Sequence, residues 1–209
     1  IGLGSASGLI YKDNSLFIIS DNSSYLYQYN IQEKELHKIR LFENSRENIP
    51  KIDKFDFEAI TLKEDNLYLF GSGSTSNRNK RISFNLTTKV PQEDNLSTIY
   101  EKLKQASSIS NEDLNLEGAF YSNEKWYLFQ RGNGVQSKNG IFILDKHGND
   151  ISFTPIQLPK IQNIEATFTD AVLIEDKIYF LAAVENSNST YDDGEVLGSF
   201  IGALSLDKL

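Results

Sequence analysis

Four stretches of the chain share one order of apolar and polar positions. In residues 56–74 an alternating run, Asp56-Phe57-Glu58-Ala59-Ile60, meets a charged turn at Lys63-Glu64-Asp65-Asn66. A second apolar run, Leu67-Tyr68-Leu69-Phe70, ends in Gly71-Ser72-Gly73-Ser74. The same order recurs from Ser5, Asn115 and Thr167. Short apolar runs bounded by turn residues predict strands. The second runs begin at Leu16, Leu67, Trp126 and Ile178, and nine residues before them stand Ser7, Glu58, Glu117 and Thr169. These anchors are spaced by 51, 59 and 52 residues. A period of roughly 50 residues built from strands predicts a β-propeller with one blade per repeat. Two positions before the anchors stand Ser5, Asp56, Asn115 and Thr167. Residues two apart on a strand share a face, so the eight should ring the central channel. Ala6, Phe57, Leu116 and Phe168 lie between them and should pack between blades.

The fold class expected is therefore all-β: a propeller with four visible blades and a single domain over residues 1–209. Blade 1 should have strands near residues 8–11, 16–20, 25–30 and 35–42. Blade 2 continues into a third strand at 81–86, with no discernible fourth. Instead Leu96, Ile99, Tyr100 and Leu103 fall at helical spacing behind Asp94 and Asn95, which predicts a helix over 95–105. That helix accounts for the longer spacing and should cover the propeller side, with a lid as the lesser alternative. Blade 3 should have strands near 118–121, 126–130, 141–145 and 151–158. Blade 4 should have three, near 170–174, 177–183 and 198–206, with a long loop at 185–197. An unfinished blade predicts that the native protein continues past Leu209, with one or two more blades closing a five- or six-bladed ring.

Charge and composition narrow the function. The net charge of −8 disfavours nucleic acid, whose binders need a basic face. No apolar run approaches the ~20 residues of a membrane span, so a soluble protein is expected, and nothing at Ile1 reads as a signal peptide. Compartment stays open, because the absence of cysteine removes the redox clue. The two histidines, His37 on an outer strand and His147 in a turn, are too few and too badly placed for a multi-histidine metal site or a serine–histidine–aspartate triad.

The candidate chemistry lies on one loop face. Glu58 and Glu117 should meet there with Asp21, Asp56, Ser72, Ser74, Arg78, Gln130, Arg131, Asn133 and Glu185. The ligand-binding candidates are Asp21, Asp56, Glu58, Arg78, Glu117 and Arg131; no catalytic residue stands out. Glycines 71, 73, 132 and 134 can take positive φ and present N–H groups, so these loops with Arg78 and Arg131 offer a seat for an anion such as phosphate or carboxylate. Equally, each arginine can pair with a channel glutamate, since buried carboxylates need partners. A third option is a hard cation, calcium, with Glu58 and Glu117 as ligands and Asp56 near them. The acidic turn Asp192-Asp193-Gly194-Glu195 is a lesser calcium candidate without EF-hand spacing.

The repeated openings, together with Gly71-Ser72-Gly73-Ser74, Arg131-Gly132-Asn133 and residues 194–199, resemble a group of uncharacterised bacterial propellers related to the phytase-like (esterase-like) and SdiA-regulated families. The resemblance spans nearly the whole chain and implies a propeller with possible calcium and phosphoester chemistry. The chain departs from calcium-dependent phytases in lacking a dense acidic motif and a lysine- and arginine-rich substrate face. Two function classes follow. One is a propeller that binds a small ligand, a cation or a protein partner at its loop face and channel mouth. The other is a calcium-assisted phosphoesterase or esterase.

Overall fold

Each repeat folds into an antiparallel meander in the computed structural model, which describes residues 3–187, 189–190 and 194–209. Blade 1 comprises β1 (Ala6–Lys12), β2 (Ser15–Ser20), β3 (Tyr25–Asn30) and β4 (Glu35–Arg40). Blade 2 comprises β5 (Phe57–Lys63), β6 (Asn66–Gly71), β7 (Lys80–Asn85) and β8 (Pro91–Asn95), followed by helix α1 (Ser97–Ser107). Blade 3 comprises β9 (Leu116–Ser122), β10 (Lys125–Gln130), β11 (Gly140–Asp145) and β12 (Ile151–Pro155). A small hairpin of β13 (Lys160–Ile161) and β14 (Ile164–Glu165) leads to blade 4, with β15 (Thr167–Ile174), β16 (Lys177–Asn186) and β17 (Glu195–Ser205). Strand makes up 52% and helix 8% of the chain. Within each blade the strands pair in sequence order. The turns Asp13-Asn14 and Asn123-Glu124 have φ of 48° and 61°, and 50° and 59°. Positive φ at both central residues marks the two-residue hairpin turn whose twist matches the flanking strands.

Alternation on the second strand of each blade builds the core. Leu67 and Leu69, with Phe57 of the same blade, face blade 1 and pack with its Phe17 and Ile19. On the opposite side Phe70 packs with Trp126 and Leu128 of blade 3. Phe129 in turn packs with Phe168, Ile178 and Phe180 of blade 4. Innermost strands therefore pack in series, β1 on β5, β5 on β9 and β9 on β15. No comparable packing joins β15 to β1 among the described residues. Phe57, Leu116 and Phe168 are buried between blades as expected. Ala6 is exposed, contrary to expectation, because its side of blade 1 faces that gap.

Three further expectations change. Blade 2 does have a fourth strand, β8, whose residues Pro91-Gln92-Glu93-Asp94-Asn95 carry no apolar pattern. Cross-strand charge substitutes for it, since Arg81 stands opposite Asp94 at 2.8 Å. The helix starts two residues later than expected, with Asn95 Oδ1 accepting the Ser97 N–H at 2.9 Å. It is part of the core: Tyr100 and Leu103 are fully buried between blades 2 and 3. In blade 4, β16 and β17 run farther than expected and shorten the loop between them. Among the described residues no helix is long and apolar enough to cross a membrane.

Candidate functional site

The anchors coincide with a backbone irregularity that recurs in all four blades. Pairing of β1 with β2 steps from Ala6 to Gly8, and that of β5 with β6 from Phe57 to Ala59. In β9 it steps from Gly118 to Leu116, and in β15 from Phe168 to Asp170. Ser7, Glu58, Glu117 and Thr169 are thus each the unpaired residue of a β-bulge. A bulge bends its strand and re-aims a side chain. Here it directs the anchors toward the channel while Phe57, Leu116 and Phe168 stay between blades.

Glu58 and Glu117 open into a cavity of about 310 Å³ with Asp21, Asp56, Arg78 and Arg131. All six candidates from the sequence meet there. Asp56 is buried, with a left-handed backbone at φ 55°. Its carboxylate accepts from Ser72 Oγ at 2.6 Å and from Arg78 Nη1 at 2.7 Å. Ser74 Oγ supports the same guanidinium at 2.6 Å. Across the mouth, Glu117 accepts from Asn115 Nδ2 at 3.0 Å and Arg131 Nη1 at 3.1 Å. The other arm of Arg131 holds Glu185, which also accepts the Gly194 N–H at 2.6 Å. Gln130 supports this network from behind: its Oε1 accepts the Asn115 N–H, and its Nε2 donates to the Asp113 and Arg131 carbonyls.

Both arginines are therefore engaged by carboxylates. The partner of Arg78 is Asp56 rather than an anchor glutamate. The glycines also act differently from expectation. Among 71, 73, 132 and 134, only Gly73 has positive φ, at 83°. Gly71 is required for close approach, since a Cβ there would lie 2.2 Å from the Arg78 carbonyl oxygen.

Lys54 is the residue that sequence reasoning missed. Its ammonium lies 2.7 Å from Asp21 and 2.6 Å from Asp56. Burial works against its charge, but the two carboxylates outweigh that and raise its pKa above the usual lysine value. Its position two residues before Asp56 was the available signal.

One oxygen from each of Asp21, Asp56 and Glu58 falls within 4.8 Å of the others, a spacing that suits a cation. Glu117 is not in that group, because Arg131 and Asn115 hold it. Lys54 already serves Asp21 and Asp56, whereas Glu58 has no hydrogen-bond or ion-pair partner among the described residues. Burial first, then the charges of Glu117, Asp56 and Asp21, push the Glu58 carboxyl well above the usual range. Burial raises Glu117 to about 7 against the pull of Arg131. Burial likewise raises Asp170, beside the same channel, to about 7. Asp192 and Asp193 of the lesser calcium candidate lie outside the described residues. His37 and His147 are exposed, as expected.

The family described as "Family of unknown function (DUF6929)" matches residues 2–209. No curated protein matches the chain. Among solved structures, the chain is similar to an auxiliary nutrient binding protein from Bacteroides thetaiotaomicron, at 13% identity and TM-score 0.49, over 96% of this chain and 42% of that one. It is also similar to a protein of unknown function from the same organism, at 7% identity and TM-score 0.47, over 88% and 42%. The WD40 repeats of RRP9 align at 9% identity and TM-score 0.44, over 87% and 45%. The chain spans less than half the length of these proteins.

Proposed function

Within the DUF6929 family of unknown function, to which this chain belongs, we propose that this propeller is a binding module whose channel mouth takes a small ligand bearing a positive charge. The observation that carries this reading is Glu58. Among the described residues its carboxyl has no hydrogen-bond or ion-pair partner, and only the more distant charge of Lys54 favours its ionised form, in a mouth where Asp21, Asp56, Glu117 and Glu185 all have cationic partners. A ligand cation there gains a carboxylate and relieves its repulsion from Glu117 and Asp56. The cavity of about 310 Å³ is at the small end of ligand sites, which run ~300–1,000 Å³. Calcium and an organic ammonium share this chemistry. Calcium prefers six to eight oxygens and would compete with Lys54 for Asp21 and Asp56, which favours the ammonium.

Kinship to phytase-like or SdiA-regulated propellers, and a calcium-assisted phosphoesterase with it, is the second reading, supported by the Asp21–Asp56–Glu58 trio. It needs a free cation to face the phosphate, and the pairing of Arg131 with two glutamates weighs against that. Titration calorimetry with calcium chloride and with a short alkylammonium salt tests both. Binding of either cation that falls about tenfold or more in Glu58→Gln is expected. Equal binding by wild type and variant, or no binding of either cation, refutes the proposal. Calcium-dependent turnover of a generic phosphoester, lost in the same variant, supports the second reading instead.

A further inference from the structure

Blade junctions follow one rule along this chain. The second strand of each blade presents one set of alternate residues to the preceding blade and the other set to the next. Trp126 and Leu128 face blade 2, whereas Tyr127 and Phe129 face blade 4. In blade 4 the equivalents of Trp126 and Leu128 are Ile178 and Phe180, which pack on blade 3. The equivalents of Tyr127 and Phe129 are Tyr179 and Leu181. At the junction, Tyr127 and Phe129 are 6% and 0% exposed; Tyr179 and Leu181 are 38% and 47% exposed. The register puts Val172 beside Tyr179 and Ile201 beside Leu181, so they extend the same face, and Ile201 is 81% exposed. Blade 1 shows the matching defect on its other side. Leu9 and Tyr11, paired with Ile18 and Leu16, are exposed, as is Ala6. Blade 4 also has three strands among the described residues, where its neighbours have four, which leaves the outer edge of β17 unpaired.

These two faces are the halves of a blade junction without the sheet that would mate with both. We propose that one further blade of antiparallel sheet fills the space between blades 4 and 1, formed by polypeptide of the same protein outside residues 1–209, which also supplies a fourth strand along β17. Its inner strands must be apolar on both faces, because each of its neighbours presents an apolar face. The beginnings of β1 and β15 flank one cavity of about 420 Å³ together with Glu58 and Glu117. The space is therefore a wedge beside the channel. This inference is independent of what the channel binds.

Hydrogen exchange on two proteins tests it: residues 1–209 alone, and the native polypeptide with all its flanking residues. In the native polypeptide, amides of β17 and β1 are expected to exchange at least about tenfold more slowly, and dye binding to exposed apolar surface is expected to disappear. Ile201→Lys is expected to leave the melting temperature of residues 1–209 unchanged and to lower that of the native polypeptide. A native polypeptide that ends at these residues overturns the proposal. So does equal exchange in the two proteins, or indifference of the native polypeptide to Ile201→Lys. A stable dimer of residues 1–209 that Ile201→Lys converts to monomers also overturns it, by naming a second copy as the occupant.

Discussion

At Arg131 one guanidinium serves two largely buried carboxylates, Glu117 and Glu185, from adjacent blades. Removing it leaves both without a cation, and breaking a buried pair from one side costs about 3–5 kcal/mol. Arg131→Ala is expected to lose about 3 kcal/mol in urea unfolding, the lower end, because the mouth admits some water. Glu117 and Asp170 hold their protons up to about pH 7 in the folded chain. Unfolded, they titrate near their ordinary values of 4.5 and 3.8. Between those limits the folded state binds more protons, so these groups subtract stability as pH rises toward 7. Urea midpoints measured across that window are expected to fall less with pH in Glu117→Gln than in the wild type. An identical slope would show that the channel carboxyl is not buried as described. Cation binding acts on the same groups with the opposite preference. It favours ionised Glu58, so cation affinity is expected to rise with pH.

The element with the clearest role beyond its own blade is α1. Tyr100 donates its hydroxyl to the Gly71 carbonyl at 2.8 Å, just where β6 turns toward the channel loops. Leu103 fills the junction of blades 2 and 3. Tyr100→Phe is expected to cost about 1 kcal/mol, and Leu103→Ala about 3 kcal/mol, both read by thermal or urea unfolding. A lid would tolerate both changes with little loss of stability. Which elements were legible in the sequence follows from what stabilises them. The second strands of the blades bury residues on one or both faces, so their apolar runs stand out, as in Leu67–Phe70 and Trp126–Phe129. Strand β8 is held by cross-strand charge and ladder hydrogen bonds, and its polar residues resemble a loop. The same limit hid Lys54, whose role depends on two carboxylates from different blades. The bulges at Ser7, Glu58, Glu117 and Thr169 left no compositional mark, yet the repeat spacing located all four.

Across the whole molecule, one repeated local feature sets the site. Four hairpins bulge at equivalent positions, and the ring arrangement brings two of those positions, Glu58 and Glu117, to the same mouth. The channel mouth proposed here as the ligand site depends on that convergence between blades 2 and 3. The absence of cysteine makes it directly measurable. A Glu58→Cys/Glu117→Cys protein can be treated with the shortest bismaleimide at high dilution, beside a control pairing Glu58→Cys with Glu33→Cys on the outer rim of blade 1. Rapid and nearly complete intramolecular cross-linking of the first pair is expected, with none in the control. Cross-linking of the first pair no faster than the control would place the two glutamates apart and contradict the shared channel mouth.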